Sequence, residues 1–288
     1  MKTIKIGSRD SRLAVCQAQE VLNRLGGGTL TTMKTLGDKI LDRTLDKVGG
    51  KGLFVKELDL ALLDGRIDLA VHSLKDVPME LPEGLTLLAF PPRADARDAL
   101  VLPESGVWDQ TRPIGCSAAR RQAQLGALFP EIEVRPVRGN VQTRLAKLEA
   151  GQYGALVLAA AGLQRLGLSH RVSRVFTPEE MLPAAGQGIL AVEGRAGEWA
   201  EETRLLDDAS ARACAMAERA FVRTLDGGCF SPIAAYAETE EGLLHLRGLY
   251  VTGEGRAVRG ALTGACDSAE TLGRTLALQL KWEAEGRI

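Results

Sequence analysis

The stretch LAVHSLKDVP, residues 69–78, passes abruptly from apolar to charged residues. Its first three residues are aliphatic, which is typical of a buried strand, and Pro78 disfavours helical geometry in the residue before it. This pattern predicts that Ser73, Lys75 and Asp76 lie at the carboxyl end of a strand. Because ligands bind at that end of the strands in an open α/β sheet, we expect a ligand site here.

A similar pattern occurs a second time in the chain. GRIDLAVHSLKD, residues 65–76, aligns with GQYGALVLAAAG, residues 151–162, glycine with glycine and valine with valine. Upstream, IGSRDSRLAVCQAQ, residues 6–19, is similar to IGCSAARRQAQL, residues 114–125, and each would continue a strand into a polar turn and a helix. Successive βα units in the same order predict a duplicated architecture, in which two similar α/β lobes face each other across a cleft.

Breaks in the pattern predict the domain organisation. Pro91 and Pro92 separate the two lobes, and the stretch LPAAGQGILAVEG, residues 182–194, carries the chain back to the first. The predicted bounds are 1–91 with 189–206 for lobe 1, 92–188 for lobe 2 and 207–288 for a C-terminal domain. The fold class is therefore α/β, with two similar lobes like those of periplasmic binding proteins, plus a smaller α+β domain with a three-stranded antiparallel sheet.

Composition and charge narrow the possible classes of function. The 288 residues are 45% hydrophobic and 25% charged, which is ordinary for a soluble globular protein. A formal net charge of -1 gives no overall attraction for nucleic acid or acidic lipid, so an anion site must come from local arginines. The charged amino terminus has no apolar signal segment, which predicts a cytoplasmic protein. The cysteines form no CxxC pair and the histidines are scattered, so neither a disulfide framework nor a metal site is predicted.

Several arginines occur in turns or at helix starts, where a cation opposes the helix dipole and gains nothing locally. Each one alone is most simply interpreted as a solvated surface residue. Both lobes, however, place arginines at corresponding strand-to-helix turns, as a site for a polycarboxylate or a polyphosphate requires. The candidates are Arg9, Arg120, Arg121, Arg138, Arg144 and Arg165.

Asp76 and Cys229 are candidates for chemistry rather than for anion binding. Asp76 could simply form a turn before Pro78, or it could be a carboxylate in a basic cleft that stabilises a developing cation and transfers protons. Cys229, in GGCFSPI at residues 227–233, could be a buried small hydrophobe. The two glycines before it and the proline after it favour a loop position, where a covalent role is possible.

Six motifs follow one another along the chain: GGKGLFVKEL (49–58), VHSLKDVP (71–78), IGCSAARR (114–121), RGNVQTRL (138–145), LPAAGQG (182–188) and GGCFSPI (227–233). In order and spacing the chain resembles the hydroxymethylbilane synthases, also called porphobilinogen deaminases, over nearly its whole length. The resemblance implies an enzyme of tetrapyrrole biosynthesis. It would join four porphobilinogen molecules head to tail with loss of ammonia and release linear hydroxymethylbilane by hydrolysis.

The resemblance also implies roles for individual residues. Cys229 would hold a dipyrromethane cofactor through a thioether, Asp76 would stabilise cationic pyrroles and mediate proton transfer, and Lys51 with Phe54 would belong to a mobile loop over the cleft. Cofactor and substrate carboxylates would be bound by Arg9, Ser11, Ser73, Lys75, Arg120, Arg121, Arg138, Arg144 and Arg165. We expect a monomer that acts on porphobilinogen, without a metal and without nucleic-acid or membrane partners.

The chain departs from the usual pattern at Cys116 and Ala118, which stand where hydroxyl residues are common. Two side-chain donors to cofactor carboxylates would be lost there. The alternative function is a two-lobed solute-binding or effector-sensing module without catalysis. Such a module needs neither Lys75 and Asp76 at a strand end nor a loop cysteine in a third domain. A cysteine hydrolase is a second alternative, but no histidine lies in a motif that suggests a partner for Cys229.

Overall fold

The computed structural model describes residues 3–35, 55–227 and 231–287. This part of the chain forms two five-stranded sheets and one three-stranded antiparallel sheet. The two larger sheets carry helices and share one strand arrangement, which confirms the predicted fold class of two similar α/β lobes and a C-terminal α+β domain.

The first lobe contains βα units in the predicted order. Helix α1 begins after Ser11, whose hydroxyl accepts a hydrogen bond from the N–H of Ala14 at 3.3 Å. The elements are β1 (Lys5–Arg9), α1 (Arg12–Arg24), β2 (Thr29–Met33), α2 (Lys56–Leu63), β3 (Leu69–Ser73) and β4 (Leu85–Ala89).

The second lobe follows after Pro91 and Pro92. Its helix α4 is capped by Asn140, whose side-chain oxygen accepts the N–H of Thr143 at 2.9 Å. The elements are β5 (Asp98–Val101), β6 (Ile114–Gly115), α3 (Ala119–Leu128), β7 (Val134–Arg135), α4 (Val141–Glu149), β8 (Ala155–Ala159), α5 (Ala160–Arg165) and β9 (Arg174–Val175).

The chain then returns to the first lobe and continues into the C-terminal domain. Helix α7 is capped by Asp208, which accepts the N–H of Ala211 at 2.7 Å, and α7 packs with α8 against the three-stranded sheet. The elements are β10 (Leu190–Arg195), α6 (Ala200–Thr203), α7 (Ala209–Thr224), β11 (Ile233–Glu240), β12 (Leu243–Val251), β13 (Ala257–Ala265) and α8 (Ala269–Ala284).

Each lobe takes its fourth strand from a crossover between the lobes. The strand orders are β2-β1-β3-β10-β4 and β7-β6-β8-β5-β9. In both sheets the first three strands are parallel, and the crossover strand, β10 or β5, pairs antiparallel with β3 or β8. Strands β3 and β8 therefore occupy equivalent positions, as the repeat in the sequence predicts.

A shared apolar core joins the first lobe to the C-terminal domain. Leu74 and Val77, directly after β3, are buried with Ile189 of the return crossover and with Ala211 and Ala215 of α7. The residues that follow β3 are consequently anchored by apolar packing, since a buried side chain of this size resists displacement. In the described ranges, no helix is long and apolar enough to cross a membrane.

Candidate functional site

The predicted strand end is a short 3₁₀ turn, Leu74–Asp76, directly after β3. The N–H of Leu74 donates to the carbonyl of Ile189 at 3.0 Å, and the N–H of Val77 closes the turn on the carbonyl of Leu74 at 3.1 Å. Leu74 and Val77 are buried in the shared core, whereas Lys75 and Asp76 between them remain partly exposed. The two charged side chains are therefore held in place by the buried residues on either side of them.

Arg9, Gln17, Ser73 and Asp76 line one small cavity in lobe 1. The structure thus brings together three of the predicted site residues from β1, β3 and the turn. The amide nitrogen of Gln17 donates to the hydroxyl of Ser73 at 2.7 Å. Because that hydroxyl accepts from Gln17, its own proton is available to another acceptor. Ser11, in contrast, uses its hydroxyl oxygen to cap α1.

Gln17 was not predicted as a site residue. It is buried on α1, on the same face as Ala14, Ala18 and Val21. A polar residue on the apolar stripe of a helix must find a hydrogen-bonding partner inside the protein. The helical periodicity of the apolar residues in α1 is the feature of the sequence that could have identified Gln17.

Lys75 connects the turn to the return crossover. Its Nζ donates to Oε1 of Gln187 at 3.4 Å. Burial lowers the pKa of Lys75 to about 8; Asp76 opposes this shift, while the nearby cations Arg121 and Arg120 add to it. Lys75 therefore lies within the electrostatic reach of both its own lobe and the arginines of lobe 2.

Arg120 and Arg121 lie inside lobe 2 and share one carboxylate. Nη1 of Arg120 is 2.6 Å from Oδ2 of Asp98, and Nη2 of Arg121 is 2.7 Å from Oδ1 of Asp98. Burial alone would raise the pKa of Asp98, but the two guanidinium groups hold it well below its ordinary value. Two cations against one carboxylate leave this cluster with an excess of positive charge. Contact between either arginine and a ligand stays a prediction.

Gln187 is the link between this cluster and Lys75. Its amide nitrogen donates to Asp98 at 2.9 Å, and its amide oxygen accepts from Arg120 at 3.0 Å as well as from Lys75. Neither Asp98 nor Gln187 was predicted. Asp98 opens the buried strand β5, and an acid at such a position requires a cationic partner, but the sequence does not say which one.

Arg138 and Arg144 lie at the amino-terminal turn of α4. Gly139 between them has φ +111°, which glycine adopts at low cost, and its carbonyl accepts a hydrogen bond from Nε of Arg144 at 2.8 Å. Burial lowers the pKa of Arg144 to about 10; the cations Arg121 and Arg138 act in the same direction, and Asp76 acts against them. Among the described residues, no carboxylate forms an ion pair with Arg144.

Arg165 bridges the lobes. Its Nε lies 3.2 Å from Oε2 of Glu20 on α1, and its Nη2 donates to the carbonyl of Gly188 at 3.2 Å. The side chain is mostly buried in these contacts. Binding of a ligand carboxylate by Arg165 stays a prediction.

Cys116 and Ala118, which replace the hydroxyl residues common at these positions, affect the local structure. Cys116 is buried, and burial raises the pKa of its thiol. Ala118 occupies the capping position of α3 and supplies no side-chain hydrogen bond, unlike Ser11 before α1. Ser117 between them bonds to the backbone of Val137. The predicted loss of hydroxyl donors at Cys116 and Ala118 therefore also removes a helix cap.

Cys229, Lys51 and Phe54 lie outside the described residues. Their predicted roles, the cofactor attachment and the loop over the cleft, remain predictions.

The charges around Asp76 fit a ligand with several carboxylates. Lys75 and Arg144 have lowered pKa values because desolvation and nearby cations both disfavour the charged form. An anionic ligand would relieve this repulsion and would pair with the guanidinium and ammonium groups. Among the described residues that line the cavity, Asp76 is the single carboxylate, so it suits N–H donors or positive charge on the same ligand.

Comparison with known proteins gives a consistent result. The family model described as "Porphobilinogen deaminase, dipyromethane cofactor binding domain" matches residues 4–203, and the model for the C-terminal domain of porphobilinogen deaminase matches residues 212–282. Porphobilinogen deaminase of Ruminiclostridium cellulolyticum is 52% identical over 265 residues, which cover 89% of this chain and 90% of that protein. The enzyme of Alkaliphilus oremlandii is 49% identical over 289 residues, 98% of each.

The similarity to solved structures is weaker. A periplasmic binding protein of Salmonella typhimurium with high arginine specificity has a TM-score of 0.40 and 10% identity. The match covers 76% of this chain and 96% of that one.

Proposed function

Since the chain belongs to the porphobilinogen deaminase family, we propose which of its residues carry out catalysis and which bind cofactor and substrate. The protein is a transferase of tetrapyrrole biosynthesis with porphobilinogen as its substrate. It condenses four substrate molecules head to tail onto a dipyrromethane cofactor with loss of ammonia, and it releases hydroxymethylbilane by hydrolysis. A two-lobed binding module without catalysis is not favoured by these relatives.

In our proposal Asp76 is the catalytic carboxylate. When bound, the dipyrromethane supplies the terminal pyrrole to which the first substrate is joined. Asp76 accepts hydrogen bonds from pyrrole N–H groups, stabilises the positive charge that develops on the substrate as its amine leaves, and takes up the proton released on condensation. Its support is its place at the end of β3, on a turn whose neighbours Leu74 and Val77 are locked in the core.

The cations hold the carboxylates of cofactor and substrate. Lys75 and Arg144 have the strongest support, because both are partly exposed cations whose pKa values are lowered by desolvation and by other cations nearby. We assign the same role to Arg9, Ser11, Ser73, Arg120, Arg121, Arg138 and Arg165. For Arg120 and Arg121, whose donors are largely used by Asp98, the contribution is mainly the positive field from inside lobe 2.

Cys229 would attach the cofactor, and Lys51 and Phe54 would contribute to a loop over the cleft. We also propose the domain bounds given above and a cytoplasmic monomer that needs neither metal, nucleic acid nor membrane. The near-zero net charge supports the absence of a nucleic-acid partner.

The observation that carries the site assignment is that Lys75 and Arg144, two cations with lowered pKa values, lie within electrostatic reach of Asp76. Intact-mass measurement tests the cofactor directly. We expect added mass equal to two linked pyrroles on the purified protein and no added mass on Cys229→Ser. Cys16→Ser, on a cysteine in α1, is the matched control and should retain the added mass. An unmodified wild-type protein that gains no mass after incubation with porphobilinogen would overturn the assignment.

A further inference from the structure

Two consecutive residues of α7, Glu218 and Arg219, form hydrogen bonds to other segments of the chain. Glu218 is buried and accepts hydrogen bonds from the N–H groups of Gly186 at 2.6 Å and Ala237 at 2.7 Å, and it pairs with Arg93 at 2.6 Å. Arg219, the next residue, reaches in a different direction, to the segment that directly follows Asp76. These two residues of α7 therefore bond both to the return crossover and to the segment that follows the Leu74–Asp76 turn.

Arg219 donates to three successive backbone carbonyls. Nη1 donates to Val77 at 3.2 Å, and Nη2 donates to Pro78 at 2.7 Å and to Met79 at 3.2 Å. The chain leaves the sheet after the turn and does not rejoin it until β4. Within the described ranges, no backbone N–H donates to these carbonyls. The guanidinium therefore replaces the hydrogen bonds that a strand or helix would supply, and its planar fork suits several acceptors at once.

The two sides of the turn are held differently. On its entry side, the N–H of Leu74 donates to Ile189, and the preceding residues pair with β10. On its exit side, Val77 is buried in the shared core, Met79 packs against that core, and Arg219 donates to the carbonyls of residues 77–79. Packing resists translation of the turn, but the hydrogen bonds from Arg219 set the path of the backbone as it leaves Asp76.

We propose that Arg219 is a positioning residue for the condensation reaction: by holding the carbonyls of residues 77–79 it fixes the carboxylate of Asp76 in the cleft. The inference rests on the proposed role of Asp76. It concerns the rate of the chemical step more than the binding of substrate, because Arg219 bonds to the backbone just after the turn.

The variants Arg219→Met and Arg219→Lys test this role against the control Arg223→Met. Arg223 lies one turn further along α7 in an exposed pair with Glu270 at 3.3 Å. We expect Arg219→Met to lower kcat by about tenfold to a hundredfold with KM changed less than threefold, since a small misplacement of a reacting group has effects of that order. Arg219→Lys should recover part of the loss, and Arg223→Met should leave kcat unchanged.

Hydrogen exchange gives a readout that does not depend on activity. The amide of Val77 closes the turn, so Arg219→Met should speed its exchange, while amides of β12 should exchange as in the wild type. Equal exchange at Val77 in Arg219→Met and Arg223→Met would overturn the proposal.

A double-mutant cycle separates this inference from the proposed function. If Arg219 acts through Asp76, Arg219→Met should cause no further loss of the single-turnover rate in an Asp76→Asn background. The same fold-loss with and without Asp76 would overturn the role of Arg219 while leaving that of Asp76 intact. Near-normal turnover of Asp76→Asn alone would overturn the proposed function, and this inference would fall with it.

Discussion

The two lobes share one fold but differ at the equivalent ends of β3 and β8. After β3 the chain places Lys75 and Asp76, whereas after β8 the aligned positions hold Ala161 and Gly162. A Cβ at Gly162 would lie 3.5 Å from the side chain of Leu13 on α1, so this strand end packs against the other lobe. One copy of the motif thus carries charge, and the other allows close contact between the lobes.

The charged side chains of the proposed site also come from both lobes. Lobe 1 contributes the carboxylate of Asp76 and the ammonium of Lys75, and lobe 2 contributes arginines, among them the buried Arg121 and the partly exposed Arg144. Because a duplicated scaffold offers the same positions twice, function depends on which side chains occupy them and not on the fold alone. The following experiments test this division, from the largest expected effect to the smallest.

Asp76→Asn should lower turnover by about a thousandfold, because it removes a charged group that acts in proton transfer and charge stabilisation. The rate of hydroxymethylbilane formation measures the effect, and intact mass should show that the cofactor is retained. Asp109→Asn, which changes an exposed carboxylate of lobe 2, is the control and should be nearly as active as the wild type. If Asp76→Asn kept near-normal turnover, the acid of lobe 1 would have no special role.

Asp98→Asn should destabilise the protein by about 3–5 kcal/mol, because Arg120 and Arg121 would stay buried without their counter-charge. Denaturant unfolding measures this loss; Asp109→Asn should cost at most about 1 kcal/mol. The pKa of Asp98 is depressed in the folded state, so its stabilisation is present above the ordinary aspartate pKa of about 3.9 and is lost as the pH falls through the folded value. A loss as small as in the control would mean that the cluster does not support lobe 2.

Arg144→Met should raise KM for porphobilinogen by about tenfold to a hundredfold, which corresponds to one lost charge-assisted hydrogen bond of about 1.5–3 kcal/mol. Steady-state kinetics measure the change. Arg135→Met, on an exposed arginine of lobe 2 paired with Glu133, is the control and should leave KM within about twofold. Equal KM values for the two variants would place Arg144 among structural residues.

The charge of Lys75 should set an alkaline limit on substrate capture. Because its pKa is lowered to about 8, the ammonium is present below that pH and is lost as the pH rises through it. The ratio kcat/KM should therefore decline severalfold above about pH 8. In Lys75→Arg the decline should move to higher pH, because the guanidinium group stays charged well above the pKa of this lysine. An unchanged profile in Lys75→Arg would assign the limit to another group.

Much of the fold was predictable because its determinants are local. The aliphatic run before His72, the proline after Val77 and the glycines near Gln187 act on their immediate neighbours, so strand ends and crossovers follow from short windows. The duplicated order of βα units then confines the lobes to one topology.

The partners of the charged residues were not predictable in the same way. Asp98 meets Arg120, Arg121 and Gln187 only because β5, α3 and the return crossover come together in the folded chain. Arg219 was also missed, since a hydrogen bond to a residue distant in sequence leaves no periodic pattern; for Gln17 the helix periodicity indicates a buried position but not the partner Ser73. Their roles depend on distances across the fold.

The amino-acid order was sufficient to place Lys75 and Asp76 after a buried strand, because backbone preferences and apolar periodicity are short-range effects. The tertiary structure gave the charged residues their environment: it placed the partly exposed Lys75 near two arginines, paired those arginines with Asp98 and set Arg219 against the carbonyls beyond Asp76. The physical reason is that pKa values and hydrogen bonds depend on burial and on separations of a few ångströms, which arise only when distant segments pack together.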